Sequence, residues 1–305
     1  MESAQFSGQE LLAWRRTQLL RGGRAVDFDW LLAMKANLSW AELQRLRILP
    51  EATAPLASSF ATLEALWTRH VQDHVPLQHL VGRCPWRDLD LQISPAALIP
   101  RQETELLIDF ALECLHEEGR SHQRGRWADL GTGSGAMAIA LSRALQGWHG
   151  HAVDLSAAAL DLARLNLNAM TTSLNWQLHQ GSWWDPLGKW WGQFDLVVSN
   201  PPYIPSRVVD ALEPIVRDHE PRQALCGGDD GLDCCRAIVK LAPQALSAGG
   251  WLLLEHHHDQ SDQVLALMRS AGLVCAQSRA DLSGVRRFAI ARRASHPQAV
   301  SRSHS

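Results

Sequence analysis

Trp127-Ala128-Asp129-Leu130-Gly131-Thr132-Gly133-Ser134-Gly135 decides the fold. Residues 127–130 read as a strand, the three alternate glycines as a tight loop, and Met137 to Leu145 as a helix. Glycine turns sharply and lets a ligand approach the backbone. A helix N-terminus then offers free N–H groups. Strand, glycine loop and helix together form a nucleotide-type binding unit of an open α/β sheet. The spacing is G-x-G-x-G, not the G-x-G-x-x-G of dinucleotide binders, which disfavours an NAD-dependent dehydrogenase.

The next strand, about His149 to Val153, ends in Asp154, some 20 residues beyond the loop, where an acid takes a ribose diol. Asp154 also precedes the helix Ala157 to Met170, but Ser156 is the better N-cap. Trp176 to His179 reads as a third strand. Gly181-Ser182-Trp183-Trp184 follows it, and either tryptophan can wall an adenine pocket or pack in the core.

Phe194 to Val198 reads as a fourth, buried strand, stopped by Asn200-Pro201-Pro202-Tyr203. Proline ends the ladder and holds the preceding residue extended. Such a loop at a strand's carboxyl end suits a planar NH2 group. Asn200 Oδ1 and a neighbouring carbonyl each accept one N–H, and the ring of Tyr203, the one tyrosine beside 13 tryptophans, covers the flat face. These parts fit a methyl-transfer site with S-adenosylmethionine as donor. An amide nitrogen is a poor nucleophile because its lone pair is delocalised. Two acceptors on its hydrogens help it pyramidalise and stabilise the positive charge that develops.

Composition limits the alternatives. The chain has 305 residues, 46% apolar and 20% charged, with net charge −3, which fits a globular protein and argues against a general nucleic-acid binder. No apolar run reaches bilayer-spanning length, and the N-terminus lacks a signal-peptide pattern, so a cytoplasmic location is expected. Six cysteines without a C-x-x-C pair suggest neither zinc nor disulfides. His256-His257-His258 suggests a metal, but adjacent residues on an extended segment point to opposite faces, so a solvated loop without metal is expected.

Residues 1–84 read as a helical docking domain with its linker, either a structural appendage or a module for a macromolecular substrate. Ser7 to Glu10 and Ser39 to Glu42 are capping boxes, and Asp27 is expected to cap a second helix. Leu89, Leu91 and Ile93 alternate with polar residues as a strand, paired with the Trp86 segment. A helix opens at Glu103-Thr104-Glu105, whose acids suit the dipole. Arg101 and Glu103 stand as possible cleft-edge residues. Ser206 to Asp233 reads as a long loop, Gly249-Gly250 as a turn, Trp251 to Glu255 as a fifth strand, and two further strands close the sheet by 291. The catalytic domain is placed at 85–294, with a disordered tail over 295–305.

With these motifs in hand, the chain resembles the peptide chain release factor glutamine N5-methyltransferases. The resemblance covers nearly all of residues 76 to 292. It rests on Pro76-Leu77-Gln78, Leu98-Ile99-Pro100-Arg101-Gln102-Glu103-Thr104-Glu105, Asp129 to Gly135, Asn200 to Pro205, Glu220-Pro221, Gly227 to Asp233, and Asp281 to Gly284. It implies a seven-stranded, Rossmann-like class I methyltransferase domain behind a small N-terminal helical domain. It implies methylation of the glutamine in the Gly-Gly-Gln motif of class I release factors. By motif, Gly131, Thr132, Gly133, Ser134, Gly135, Asp154, Trp183 and Asn200 would hold the donor. Asn200, Pro201, Pro202 and Tyr203 would hold the glutamine, with Asn200, Pro201 and Tyr203 catalytic. Gln102, Ser182 and His257 depart from the usual proline, aspartate and glycine. A methyltransferase for the amino group of a DNA or RNA base is the closest rival reading, since the same loop serves it. A non-catalytic adapter is another.

Overall fold

The computed structural model describes residues 5–119, 124–172 and 175–295. The chain divides into two compact units. One runs up to Arg83 and takes in Glu213–His219; the other holds Cys84–Leu212 and resumes at Glu220.

The first unit is helical: β1 (Gln5–Ser7), α1 (Gly8–Leu19), α2 (Ala25–Ala36), α3 (Trp40–Ile48), β2 (Thr53–Pro55), α4 (Phe60–Gln72) and α5 (Leu77–Val81). Ser7 and Glu10 form the expected capping box. Ser39 Oγ accepts from Glu42 N at 3.1 Å, but the Glu42 carboxylate turns to Arg45. Asp27 does not cap α2; the helix starts two residues earlier, and Asp27 pairs with Arg24 instead. The residue 50–55 break contains β2, which pairs antiparallel with β1. Leu11, Phe28, Leu31, Leu32, Leu63 and Trp67 fill the core.

In the second unit, β3 (Arg83–Trp86) and β4 (Leu89–Gln92) pair as the sequence predicts. They precede α6 (Glu105–Glu117), β5 (Arg126–Leu130), α7 (Ala136–Ala144), β6 (His149–Asp154), α8 (Ala157–Met170), β7 (Trp176–Gln180), a 3-10 turn at Asp185–Trp190, and β8 (Phe194–Ser199). The expected long loop carries three short helices, α9 (Ser206–Val209), α10 (Pro214–Arg217), which belongs to the first unit, and α11 (Arg222–Leu225). Prolines 205, 214 and 221 stand at or beside their starts, where a missing N–H costs nothing. Then come α12 (Asp233–Ala245), β9 (Leu246–Glu255), α13 (Ser261–Ser270), β10 (Val274–Ala280) and β11 (Arg286–Arg292). Gly249-Gly250 is no turn between elements; it lies within β9, whose register against β8 shifts there. A Cβ on Gly250 would stand 2.5 Å from Phe194 O, so glycine permits the close approach. The expected tail, 295–305, lies outside the described residues but for Ser295.

The seven strands run β10-β11-β9-β8-β5-β6-β7. The pairs from β9 to β7 are parallel and the β11 pairs antiparallel. Successive residues face opposite sides, as strand geometry requires. Trp127, Leu196, Val198 and Leu253 pack with α6 and α7 side chains, while Ala128, Val197, Leu252 and Leu254 pack with α12 and α13. Both faces are covered, which explains the apolar runs 196–198 in β8 and 251–254 in β9. From β5 the chain winds outward to β7 and then returns to β8 on β5's other flank. The crevice at that switch point is where such sheets bind ligands.

Candidate active site

The glycine loop is folded back on β6. Gly131 N and Thr132 N both donate to Val153 O, at 2.8 and 2.9 Å. Gly131, Gly133 and Gly135 have φ of +80°, +56° and +85°, which side-chain-bearing residues rarely adopt. Thr132 Oγ1 donates to Asp129 Oδ2 at 2.6 Å, and burial pushes that carboxyl up to about 7. Asn166, fully buried on α8, ties the loop to β4: Nδ2 donates to Ser134 O at 2.9 Å and to Gln92 O at 3.0 Å.

Asp154 ends β6. Its two oxygens accept from Gly133 N and Ser156 N, both at 2.9 Å. Each keeps a second lone pair for a ligand hydroxyl. Burial nonetheless raises its pKa. Ser156 is the cap of α8, accepting from Ala159 N at 3.2 Å, so Asp154 is spared that task. The two tryptophans separate. Trp184 is core, its Nε1 donating to Ile238 O at 2.9 Å, whereas Trp183 lines the cleft beside Gly131.

Past Ser199, whose hydroxyl donates to Leu130 O at 2.6 Å, comes Asn200. Asn200 Nδ2 donates to Thr104 Oγ1 at 3.0 Å, and Thr104 Oγ1 donates to Glu255 Oε2 at 2.7 Å. Tyr203 OH donates to the other Glu255 oxygen at 3.3 Å. Glu255 ends β9 and is 2% exposed; burial pushes its carboxyl up to about 7 and raises the Tyr203 phenol as well. The loop's backbone is fixed by its neighbours. Ile204 N donates to Leu225 O at 3.0 Å, Gly227 N to Ile204 O at 2.9 Å, and Gln260 Nε2 to Tyr203 O at 3.0 Å. Among the described residues no donor meets the Pro201 or Pro202 carbonyl.

A cleft of ≈ 350 Å³ joins these parts. Gly131, Thr132, Gly133, Ser134, Asp154, Trp183, Asn200 and Pro202 line it. Gly135 stands behind, as N-cap of α7; Pro201, which is buried, and Tyr203, which is half-buried, are also outside the lining. Arg101 lines the cleft and pairs with buried Glu220 at 2.6 Å, while Glu103 is exposed.

Sequence reasoning missed Thr104, Asn166 and Glu255. Thr104 sat inside a stretch read for its flanking acids. Glu255 carried the signature that exposed Asp154, a lone acid closing an apolar strand, and that signal was available. The histidine run needs correction. β9 stops at Glu255, so the run is not extended: His256 is fully buried, and the His257 and His258 rings lie 4.1 Å apart. His257 Nδ1 meets Asp259 Oδ1 at 2.6 Å.

The model of the methyltransferase small domain family matches residues 104–219. The release factor glutamine methyltransferase of Prochlorococcus marinus is 54% identical over 288 residues, covering 94% of this chain and 98% of its own. Those of Gloeobacter violaceus and Synechocystis sp. are 42% and 36% identical, covering 87% and 96% of this chain and 90% and 99% of theirs. The chain belongs to the release factor glutamine methyltransferase family. It is a methyltransferase, and its methyl donor is S-adenosylmethionine. The catalytic domain of human Mettl16, solved with an RNA hairpin, aligns with TM-score 0.54 at 16% identity over 82% of this chain and 87% of that one, a likeness of fold alone. The cleft fits such a donor: the Ser134 hydroxyl is buried without a protein partner among the described residues, and the Asp154 lone pairs face the same space. No described helix is long and apolar enough to cross a membrane.

Proposed function

We propose that this enzyme methylates the side-chain amide nitrogen, N5, of the glutamine in the Gly-Gly-Gln motif of class I release factors. The observation that carries this reading is Asn200 and Pro202, lining the glycine-loop cleft from within an Asn-Pro-Pro-Tyr motif, in a chain that matches a release factor glutamine methyltransferase almost end to end. Asn200 Oδ1 and the Pro201 carbonyl accept the two hydrogens of the substrate amide. The flat nitrogen is thereby held in one orientation, and its attack distance is preset. As the methyl group moves, positive charge grows on the nitrogen, and both acceptors bind it more tightly than in the ground state. The donor supplies an electrophilic methyl carbon on a sulfonium. Asp154, the Gly131–Gly135 loop, Ser134 and Trp183 hold its nucleoside end. No base need act first, because the alkylated nitrogen is acidic and loses its proton afterwards. We assign residues 1–84 to docking the factor and 85–294 to catalysis.

Incubation with purified release factor and labelled donor, followed by peptide mapping, tests this. Label is expected on the Gly-Gly-Gln glutamine and is lost with Asn200→Ala. Label on nucleic acid alone would overturn the reading.

A further inference from the structure

We infer that Thr104 and Glu255 are positioning residues that set which end of the Asn200 amide faces the substrate. The two ends of an asparagine amide have nearly the same shape, so only its hydrogen-bond partners choose between them. The choice here follows from proton counting. An ionised carboxylate only accepts, so the single hydroxyl proton of Thr104 points to Glu255 Oε2, 2.7 Å away. What Thr104 turns toward Asn200 is then a lone pair. The group 3.0 Å from it must donate, which makes it Nδ2. Oδ1 is left on the other side as an acceptor. Were the amide reversed, its NH2 would oppose the substrate's NH2, donor against donor.

The chain holds this polarity only while Glu255 lacks its proton. A protonated Glu255 has a hydrogen to give Thr104, whose own proton is then free to turn to Asn200 Oδ1 and draw that oxygen away. The surroundings leave that proton loosely held near neutrality. Thr104 and Tyr203 are the hydrogen-bond partners of Glu255; Arg287 on β11 lowers its pKa, Glu103 raises it, and burial outweighs both. The Arg287 guanidinium itself is committed to Asp281 at 2.8 Å. Both residues therefore act through Asn200 and touch no reacting atom.

The inference rests on the proposed methylation of release factors, and its test separates the two. Kinetics are measured with whole release factor for wild type, Thr104→Val, Thr104→Ser and Glu255→Gln. Donor affinity by calorimetry serves as the check on folding. The side-chain 15N resonances of Asn200 are followed against pH in the same proteins. Thr104→Val is expected to lower kcat about 10- to 100-fold. Its KM, set by remote contacts with the factor, and its donor affinity stay near wild type. Thr104→Ser restores most of the rate. In wild type, kcat and the Asn200 resonances change together with a midpoint near neutral pH, and Glu255→Gln abolishes both changes. Wild-type kcat in Thr104→Val, equal loss in Thr104→Ser, or an unchanged acid limb in Glu255→Gln overturns the inference and leaves the methylation standing. If wild type leaves the factor unlabelled, the functional reading fails. The Asn200 resonances then decide the inference alone: a titration absent from wild type refutes it.

Discussion

Asp154 bonds two backbone N–H groups and still faces the cleft, so on the proposed reading its replacement is felt twice: in loop order and in ribose binding. Asp154→Ala is expected to weaken donor binding about 10- to 100-fold, read by calorimetry, for the loss of charge-assisted bonds. Glu255 makes the opposite kind of prediction, a residue that costs stability. Its pKa rises from 4.5 to about 7 on folding, so the native state binds more protons than the unfolded one between those values. Stability therefore falls as pH climbs from about 4.5 to 7, and the cost is fully present above 7. Asp129, raised from 3.8 to about 7, adds a loss of the same sign. Glu255→Gln is expected to gain up to about 3 kcal/mol at pH 8, checked by denaturant unfolding, with no comparable gain at pH 4. Asp154 and Asn200 were legible because each follows an apolar strand and precedes a helix or a proline. Thr104 was not. Its importance lies in a bond to Glu255, 151 residues away, which no local pattern records.

Among elements, glycine explains how the loop after β8 meets the turn before α12. A Cβ on Gly227 would stand 2.7 Å from Pro202 O, and one on Gly231 2.3 Å from Tyr203 O. Gly231 also has φ of +79°. Gly231→Ala is expected to cost about 1–3 kcal/mol in thermal or denaturant unfolding and to lower kcat by displacing residues 200–203. Within the sheet, Gly150 on β6 leaves room for the Trp127 indole on β5, whose Cζ2 would lie 2.1 Å from an added Cβ. Gly150→Val is expected to destabilise by about 3 kcal/mol or more, since a rigid ring in a filled core cannot yield. Strands β5, β6 and β8 and the Trp251–Glu255 half of β9 were readable from apolar runs and turn residues, because a parallel sheet covered on both faces leaves that mark. The three short helices between β8 and α12 were not. Four residues span barely one turn and show no period. The Gly249-Gly250 pair misled for a related reason: glycine marks a bulge and a turn alike, and only the Phe194 carbonyl beside it distinguishes them.

For the whole molecule, four strand ends line one crevice: the glycine loop after β5, Asp154 ending β6, Trp183 after β7 and Asn200 after β8, with Glu255 at the end of β9 reaching Asn200 through Thr104. Binding and chemistry are thus supplied by segments far apart in sequence, held by a sheet whose order was not written in any one of them. Two layers follow from that order, which the proposed function assigns to the donor's nucleoside and to the substrate's planar amide. The most direct measurement is a structure of the enzyme with the demethylated donor and a release factor. Asn200 Oδ1 and the Pro201 carbonyl are predicted to lie within hydrogen-bond distance of the glutamine side-chain nitrogen, with Nδ2 still on Thr104. Residues 200–203 turned away from that nitrogen, or an Asn200 amide presenting its NH2 to it, would contradict the account.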